Sequence, residues 1–208
     1  MMTNRLRIAL CGVVLAAAAA IAAENTFTST WKSPDAGPLN YFGRKVAALV
    51  IVDGDSLRVS AEEALAREMS ARGSRAVPAY RLIPREELKD KDRAKAWFEK
   101  AAIEGMVVIR VVGVETEKVY SSYVWSSGYY ANGWDYYGNG WATVTPIGKG
   151  RNAHTITVET LLYDMATAKP LWGGVSHATD PRDPGSFMKA LTKDVVKELQ
   201  KAGLVKRE

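Results

Sequence analysis

The chain has 208 residues and a formal net charge of +5 at pH 7, a length that suits one domain with a full hydrophobic core. Basic and acidic side chains are interspersed and the basic excess is mild, so the composition gives no indication of nucleic-acid binding. Cys11 is the only cysteine, which excludes an intrachain disulfide and any metal site built from several thiolates.

The N-terminus has the pattern of a secretory signal peptide. Arg5 and Arg7 form a short positive region, the apolar run Ile8–Ala23 follows, and Ala20–Ala22 offers small residues at the two positions that signal peptidase reads. The apolar run is shorter than the roughly 20 residues that a membrane-spanning helix needs. The pattern predicts cleavage after this tripeptide and export of residues 23–208 to the periplasm, with no transmembrane span in the mature chain.

Cys11 raises the alternative of a lipid-anchored N-terminus. Two features count against an anchor: Leu10 stands where a small residue is expected before the cysteine, and most of the apolar run follows the cysteine instead of preceding it. The sequence therefore predicts that Cys11 is an apolar filler within the signal peptide. The mature chain then has no cysteine, and its fold depends on its core alone.

Four strands are predicted in the first half of the mature chain. An alternating segment that ends near Trp31 predicts a short edge strand. The apolar runs at 44–52 and 106–114 predict strands that are buried on both faces. The run at 75–83 predicts a further strand, which Pro78 places at a sheet edge because proline cannot donate to a ladder.

Helical spacing of apolar residues fills the gaps between the last three of these strands. It predicts one helix over 57–72 and a second over 86–104. Ser60 and Glu63 have the spacing of a capping box for the first helix, and Ser56 offers an earlier start. The order strand, helix, strand, helix, strand predicts two right-handed crossovers and a parallel core with its strands in the order second, first, third.

A hairpin and a final helix complete the predicted fold. The segments from His154 and at 171–179 alternate or are apolar around the turn at 164–170, which predicts an antiparallel hairpin that extends the sheet. Asp183 and Pro184 predict the start of a helix, with an apolar face that continues to Gly203. The predicted class is therefore a single α/β domain, in which helices pack on a mixed sheet with a parallel βαβαβ core.

Three stretches carry a resemblance to known proteins. They are STWKSPDAGPLNYFGRKVAALVIV from Ser29, AEEALAREMSARGSRAVPAYRLIP from Ala61 and ETLLYDMATAKPLW from Glu159. Together they resemble a set of uncharacterised bacterial envelope proteins, many of them lipoproteins. The architecture is similar to the N-terminal α/β domain of TolB and to the core of the curli secretion lipoprotein CsgG. The resemblance implies an accessory or assembly role in the cell envelope, with no catalytic residues to carry over.

Nine aromatic residues crowd into 22 positions before the hairpin. Interspersed glycines and asparagines predict an excursion from the sheet at about 120–150, in the form of a long hairpin or loop. Such a composition is typical of recognition loops, because tyrosine and tryptophan combine a large contact area with a hydrogen-bonding edge. The alternative is that the rings fold back onto the sheet. The candidate binding residues are Tyr120, Tyr123, Trp125, Tyr129, Tyr130, Trp134, Tyr136, Tyr137 and Trp141.

These observations favour a non-enzymatic accessory protein of the periplasm or cell envelope that contacts another envelope protein through the nine rings. A second hypothesis is carbohydrate or peptidoglycan binding, with Trp125, Trp134 and Trp141 as stacking platforms. Contact with a membrane surface is the least favoured binding hypothesis, because only Lys149 and Arg151 flank the aromatic stretch.

A third hypothesis, a metal-assisted hydrolase, rests on Asp53 and Asp55. They follow the first predicted parallel strand, and ligands often bind at the carboxyl ends of such strands. The further acidic ligand that this chemistry needs would be Asp180 or Asp183, but both follow the hairpin instead of another parallel strand. The pair is therefore interpreted as a turn and a helix start.

The two histidines are interpreted as ordinary strand residues. His154 and His177 lie on the two arms of the hairpin, and in its simplest register His177 lies opposite Ile156. A zinc site needs three or four protein ligands, and Asp180 is the only candidate nearby. No nucleotide-binding fingerprint is present. The sequence therefore predicts no catalytic residue, no metal and no cofactor.

Overall fold

The computed structural model describes residues 26–37, 41–114, 122–144, 155–179 and 183–206. Six strands are present in these ranges: β1 (Thr26–Lys32), β2 (Lys45–Ile51), β3 (Arg75–Pro78), β4 (Gly105–Val114), β5 (Thr155–Asp164) and β6 (Pro170–Thr179). The α-helices are α1 (Asp55–Ala71), α2 (Lys91–Lys100), α3 (Ser122–Trp125), α4 (Gly133–Ala142) and α5 (Pro184–Lys201). The strands form a single mixed sheet in the spatial order β1-β6-β5-β4-β2-β3. The predicted mixed α/β fold is thus confirmed.

The parallel core has the predicted strand order. β2 lies between β3 and β4 and is parallel to both, with Val46 opposite Gly105 and Ile51 opposite Arg110 in the pair with β4. β3 ends at Pro78, well before the predicted end of the strand, and the chain continues into a 3₁₀ turn at Ala79–Arg81. The edge position of β3 agrees with the inability of proline to donate to a ladder.

The hairpin of β5 and β6 extends the sheet as predicted, but its register differs from the simple one. A bulge after Leu162 shifts the pairing, so that His177 lies opposite Thr157 and not opposite Ile156. The other histidine, at 154, lies outside the described residues. β1 pairs antiparallel with β6 and forms the edge of the sheet opposite to β3.

One face of the sheet is covered by α1 and α5. Leu65 and Met69 of α1, with Leu191 and Val195 of α5, pack on the side chains of β2 and β4 that point to this face. Asp183 caps α5 as predicted, since its carboxylate accepts hydrogen bonds from the first backbone amides of the helix.

The first helix begins close to the earlier of its two predicted starts, Ser56, and the predicted start of the second helix is wrong. α1 begins at Asp55, one turn and more before the expected capping box at Ser60, because Gly54 at φ 94° turns the chain directly into the helix. α2 begins only at Lys91, where Asp90 accepts hydrogen bonds from the amides of Asp92 and Arg93. A 3₁₀ turn at Arg85–Glu87 occupies the start that was predicted for it.

The aromatic stretch packs on a face of the sheet and is largely helical, so its prediction as a loop or hairpin is wrong for residues 122–144. These residues, here called the aromatic segment, form α3, a 3₁₀ turn at Gly128–Ala131, and α4. With α2 they cover the second face of the sheet, packing on Ala47, Leu49 and Ile51 of β2. The physical reason is that α2 is too short to cover this face alone, and burial of large rings is strongly favourable.

Candidate functional site

Most of the predicted binding rings point into the protein. Tyr123 is the exception, with 77% of its surface exposed, and Tyr129 is half-buried. Tyr120 lies outside the described residues. The buried members are Trp125, Tyr130, Trp134, Tyr136, Tyr137 and Trp141. Within the folded chain, Trp125, Trp134 and Trp141 therefore have no exposed face on which a sugar could stack.

The buried rings enclose an ion pair that the sequence analysis did not identify. Arg110 of β4 lies directly opposite Glu159 of β5, and both side chains are buried, with 3.9 Å between Nη1 and Oε2. The hydroxyl of Tyr136 donates to Glu159 Oε2 at 2.9 Å, and the hydroxyl of Tyr130 donates to Oε1. The aromatic segment is thus attached to the sheet through a buried carboxylate.

Arg110 is also held by rings of the aromatic segment. Its guanidinium carbon lies 5.5 Å from the ring centroid of Tyr136 and 6.0 Å from that of Tyr129, distances typical of cation–π contacts. Its Nη2 also donates to Thr143 Oγ1 at 2.5 Å. Burial opposes the charged form of Arg110, but Tyr136 and Glu159 outweigh it and raise its pKa. Arg110 therefore stays charged beneath the segment.

The tyrosines around Glu159 act as hydrogen-bond donors and stay un-ionised. Burial raises the pKa of Tyr136 and of Tyr163 well above the usual value, and the negative charge of Glu159 raises both further. The pKa of Tyr130 is raised for the same two reasons, burial first. Since the hydroxyls stay protonated and the rings close over the ion pair, the cluster holds the segment in place and presents no reactive group to solvent.

Two isolated charges in apolar strands were the signal for this cluster. Arg110 interrupts MVVIRVVGV and Glu159 interrupts TVETLLY, and a lone charge in a strand buried on both faces must be paired. The sequence does not show that the partners of these charges come from a stretch that is so rich in glycine.

Tight packing explains two of the glycines of α4. A Cβ at Gly140 would lie 2.6 Å from Cδ1 of Ile51, and one at Gly133 would lie 3.0 Å from Cγ of Tyr163. Gly138 has more room, since its nearest neighbour would be Lys91 Cδ at 3.6 Å. Each glycine costs about 1 kcal/mol of helix stability relative to alanine. The helix therefore depends on docking against the sheet.

A surface cleft of about 890 Å³ lies beside the aromatic segment, next to the β5–β6 turn. Trp31 at the end of β1 and the exposed Tyr123 contribute rings to its walls, and Tyr41, Leu171 and Leu204 add apolar surface. Its volume is within the roughly 300–1,000 Å³ that is usual for ligand sites. Of its lining residues, only Tyr123 belongs to the set predicted from the sequence.

Charged groups of both signs line the same cleft. They are Asp35, Arg44, Asp164 and Lys169. Asp164 also holds the hairpin turn, because its Oδ1 accepts from the amide and the hydroxyl of Thr167 at 2.8 and 2.9 Å. A mixed rim of this kind does not favour a polyanion or a polycation. It suits a ligand that alternates polar and apolar groups, such as an extended peptide or an oligosaccharide.

The two aspartates considered for metal-assisted hydrolysis differ in their surroundings. Asp53 is exposed in the turn before α1, whereas the carboxylate of Asp55 lies 3.5 Å from Arg58 and 2.5 Å from Arg85. Asp183 is occupied as the cap of α5, and residue 180 lies outside the described ranges. Asp55 is therefore engaged by two arginines within its own fold.

Glu62 is a second buried carboxylate that the sequence analysis did not identify. It accepts hydrogen bonds from the amides of Val50 at 3.3 Å and Tyr80 at 2.8 Å, and it lies 3.3 Å from Arg58. Because β3 pairs with β2 only as far as Ala48, the carboxylate takes the place of the missing strand. Burial raises the pKa of Glu62 to about 7, against the opposing effect of Arg58.

No group of three or more side chains suited to a metal ion occurs within the described ranges. In the same ranges, no helix has both the length and the apolar character to cross a bilayer.

His177, one of the two histidines considered as metal ligands, lies on strand β6. Its Nδ1 is 3.5 Å from Oγ1 of Thr157, the residue opposite it on β5.

Comparison with solved structures gives distant likenesses. No protein family matches the chain, and no curated protein does. Among solved structures, a PelC dodecamer from Paraburkholderia phytofirmans is 14% identical at a TM-score of 0.46, covering 89% of this chain and 100% of that one. Lipoprotein GNA1162 from Neisseria meningitidis is 13% identical at a TM-score of 0.40, covering 76% and 99%. Likenesses this distant indicate nothing about function, and the expected relation to TolB and CsgG stays a prediction.

Proposed function

We propose that the protein is an exported, non-enzymatic accessory protein of the cell envelope, and that it holds a segment of another envelope protein in the cleft beside Tyr123. The observation that carries the proposal is the exposure of this ring, 77%, on a segment whose other described aromatic side chains are buried or half-buried. An exposed tyrosine at the wall of a cleft has the character of an interface anchor, because it offers contact area and a hydroxyl at low entropy cost.

Two further observations support this proposal. The signal-peptide pattern of the N-terminus favours export. Arg110 and Glu159, which the aromatic segment encloses, are buried and paired with each other. The cleft, in contrast, combines rings, prolines and charges of both signs at the surface, which is the usual composition of a site for an extended polypeptide.

Site-specific photo-crosslinking tests the proposal. A photoreactive amino acid at position 123 should form a covalent adduct with one envelope protein in cells, and Trp31→Ala in the same chain should abolish it by removing the other partly exposed ring of the cleft lining. Phe42 is the matched control, because it is the other large exposed apolar residue in the described ranges. The same amino acid at position 42 should not capture that protein. Equal capture at both positions, or capture unaffected by Trp31→Ala, would contradict the proposal.

Carbohydrate binding is a second candidate, now placed in the cleft and not on the buried tryptophans. Trp31 and Tyr123 offer rings beside Asp35 and Asp164, and rings with neighbouring carboxylates are a common arrangement around sugars. Titration with soluble muropeptides should then change tryptophan fluorescence in the wild type but not in Trp31→Phe. An unchanged spectrum in the wild type would exclude this candidate and leave the first one standing.

A further inference from the structure

A second surface feature lies where the parallel strands begin, and it is built around Phe42. The ring is 59% exposed and sits directly over Gly73, where a side chain would collide with it. Gly73 has φ 88°, a conformation that glycine adopts without strain, and its carbonyl accepts from the amide of Gly43 at 2.7 Å. The exposed ring is therefore held in a defined position by the backbone beneath it.

One cation contacts this ring, and two more lie close to it in the chain or in space. Lys206 Nζ lies 5.8 Å from the ring centroid of Phe42. Arg75 is exposed over 70% of its side chain, and its Nε donates to the carbonyl of Gly43 at 2.7 Å, beside Phe42 in the chain. Arg44 follows Gly43 and is also exposed. We call Phe42, Arg44, Arg75 and Lys206 the basic tip.

The acidic groups described near the tip do not neutralise it. Glu104 is the carboxylate next to Arg44 and Arg75, at 4.0 and 3.9 Å, both near the upper limit for an ion pair. Arg72, whose carbonyl accepts from the amide of Lys206, is matched by Glu68 at 2.8 Å. Among the described residues, Arg44 and Arg75 thus share one carboxylate, while Lys206 lies beside the ring of Phe42, so this part of the surface keeps a positive charge.

We propose that the basic tip rests on the surface of an anionic phospholipid membrane, with Phe42 inserted among the headgroups. Exposed rings at an interface and basic side chains near anionic headgroups are the two contributions that bind peripheral proteins to membranes. A soluble acidic partner would match the charges, but it would leave the exposure of a ring held in one position unexplained. Arg44 also lines the cleft, but Phe42, Arg75 and Lys206 do not. Variants of these three residues therefore test the inference separately from the proposed function.

Vesicle sedimentation of the purified protein tests the inference. The protein should bind vesicles of phosphatidylglycerol mixed with phosphatidylcholine, should bind poorly to phosphatidylcholine alone, and should be released by salt. Arg75→Gln and Lys206→Gln should each weaken binding roughly fivefold, the equivalent of about 1 kcal/mol per basic group near an anionic surface. Phe42→Ala should weaken it roughly tenfold.

Matched variants separate this site from a general effect of charge or of exposed rings. Lys189→Gln removes an exposed cation near the start of α5, about 18 Å from the end of that helix at 1.5 Å per residue, and should not affect binding. Tyr123→Ala should also be neutral here, although it should weaken binding of a partner in the cleft. Every variant has the same N-terminal segment, so any contribution of that segment to vesicle binding is the same in all of them. Their thermal melts should match the wild type.

Three results would overturn the inference. The first is an absence of binding to the anionic vesicles. The second is binding that Phe42→Ala and Arg75→Gln leave unchanged, which would assign the attraction to the net charge of the chain. The third is binding to soluble polyphosphate that matches vesicle binding and does not depend on Phe42, which would make the tip an anion site without a membrane role.

Discussion

Arg110 and Glu159 face each other across adjacent strands, and both are buried beneath the aromatic segment. A buried ion pair contributes little net stability relative to an apolar pair of the same size. The stability of the fold is nevertheless sensitive to the loss of one partner, because the remaining charge is buried away from water and has no opposite charge to compensate it. Since Tyr130 and Tyr136 both donate to Glu159, the pair also determines where the segment docks.

Glu159→Ala should therefore lower the free energy of unfolding by about 3–5 kcal/mol, the usual effect of leaving a buried charge alone. Urea denaturation measures the change. Glu99→Ala is the matched control, because Glu99 is 67% exposed in its side chain and should alter stability by less than about 0.5 kcal/mol. A loss below about 1 kcal/mol for Glu159→Ala would mean that the pair is hydrated in solution.

Removal of a single hydroxyl tests whether the rings belong to the core. Tyr136→Phe deletes the donor to Glu159 and should cost about 1.5–3 kcal/mol, the range for hydrogen bonds to a charged group. Tyr123→Phe removes the same atom from an exposed ring and should be neutral within about 0.5 kcal/mol. Urea denaturation of the two variants gives the comparison. Equal effects would contradict the placement of the segment on the sheet.

The strand core could be predicted from the sequence because its signals are local. Apolar runs such as that ending at Ile51, the proline at 78 and the cap at Asp183 each act on a few neighbouring residues. The α/β class and the order of the parallel strands follow from them. The bulge after Leu162 could not be predicted, because it depends on packing between strands and leaves no mark in either strand alone.

The helical structure of the aromatic segment and the presence of the cleft could not be predicted from local sequence patterns. Gly133, Gly138 and Gly140 give the segment a low helix propensity, so its pattern indicates a loop. Tertiary docking overrides that propensity through contacts with distant residues. The cleft likewise is lined by residues from distant parts of the chain, such as Trp31 and Tyr123, and no spacing in the sequence indicates that they line one cleft.

Two glycines of α4 should respond in opposite ways to alanine. Gly140→Ala would place a Cβ 2.6 Å from Ile51 Cδ1 and should destabilise the fold by about 1–3 kcal/mol through overpacking. Gly138→Ala meets nothing closer than 3.6 Å and should stabilise it by up to about 1 kcal/mol, since alanine favours the helix. Thermal melts of both variants test this. Stabilisation by both would mean that α4 is not seated against β2.

Glu62 should make stability depend on pH. Its pKa is about 7 in the folded chain, raised by burial from the ordinary 4.5. Between these values the folded state binds the proton more tightly than the unfolded state, so the free energy of unfolding falls as pH rises through this window and levels off above it. The decrease should be on the order of 3 kcal/mol. Relative to Glu62→Gln, the wild type should lose this amount across the window, measured by urea denaturation at several pH values.

Glu63, the next residue, is a control with the opposite sign. A hydrogen bond from the hydroxyl of Tyr80 is the main cause that lowers the pKa of Glu63, and Arg81 adds to it. Its contribution to stability is therefore complete above pH 4.5 and is lost only as the pH falls through its folded pKa. Between pH 4.5 and about 7, Glu63→Gln should run parallel to the wild type while Glu62→Gln diverges from it. A different result, in which the stability of Glu62→Gln follows that of the wild type across the window, would contradict this prediction. In that case the Glu62 carboxylate of the wild type is already ionised at pH 4.5, and the effect of Arg58 and the two backbone amides outweighs that of burial.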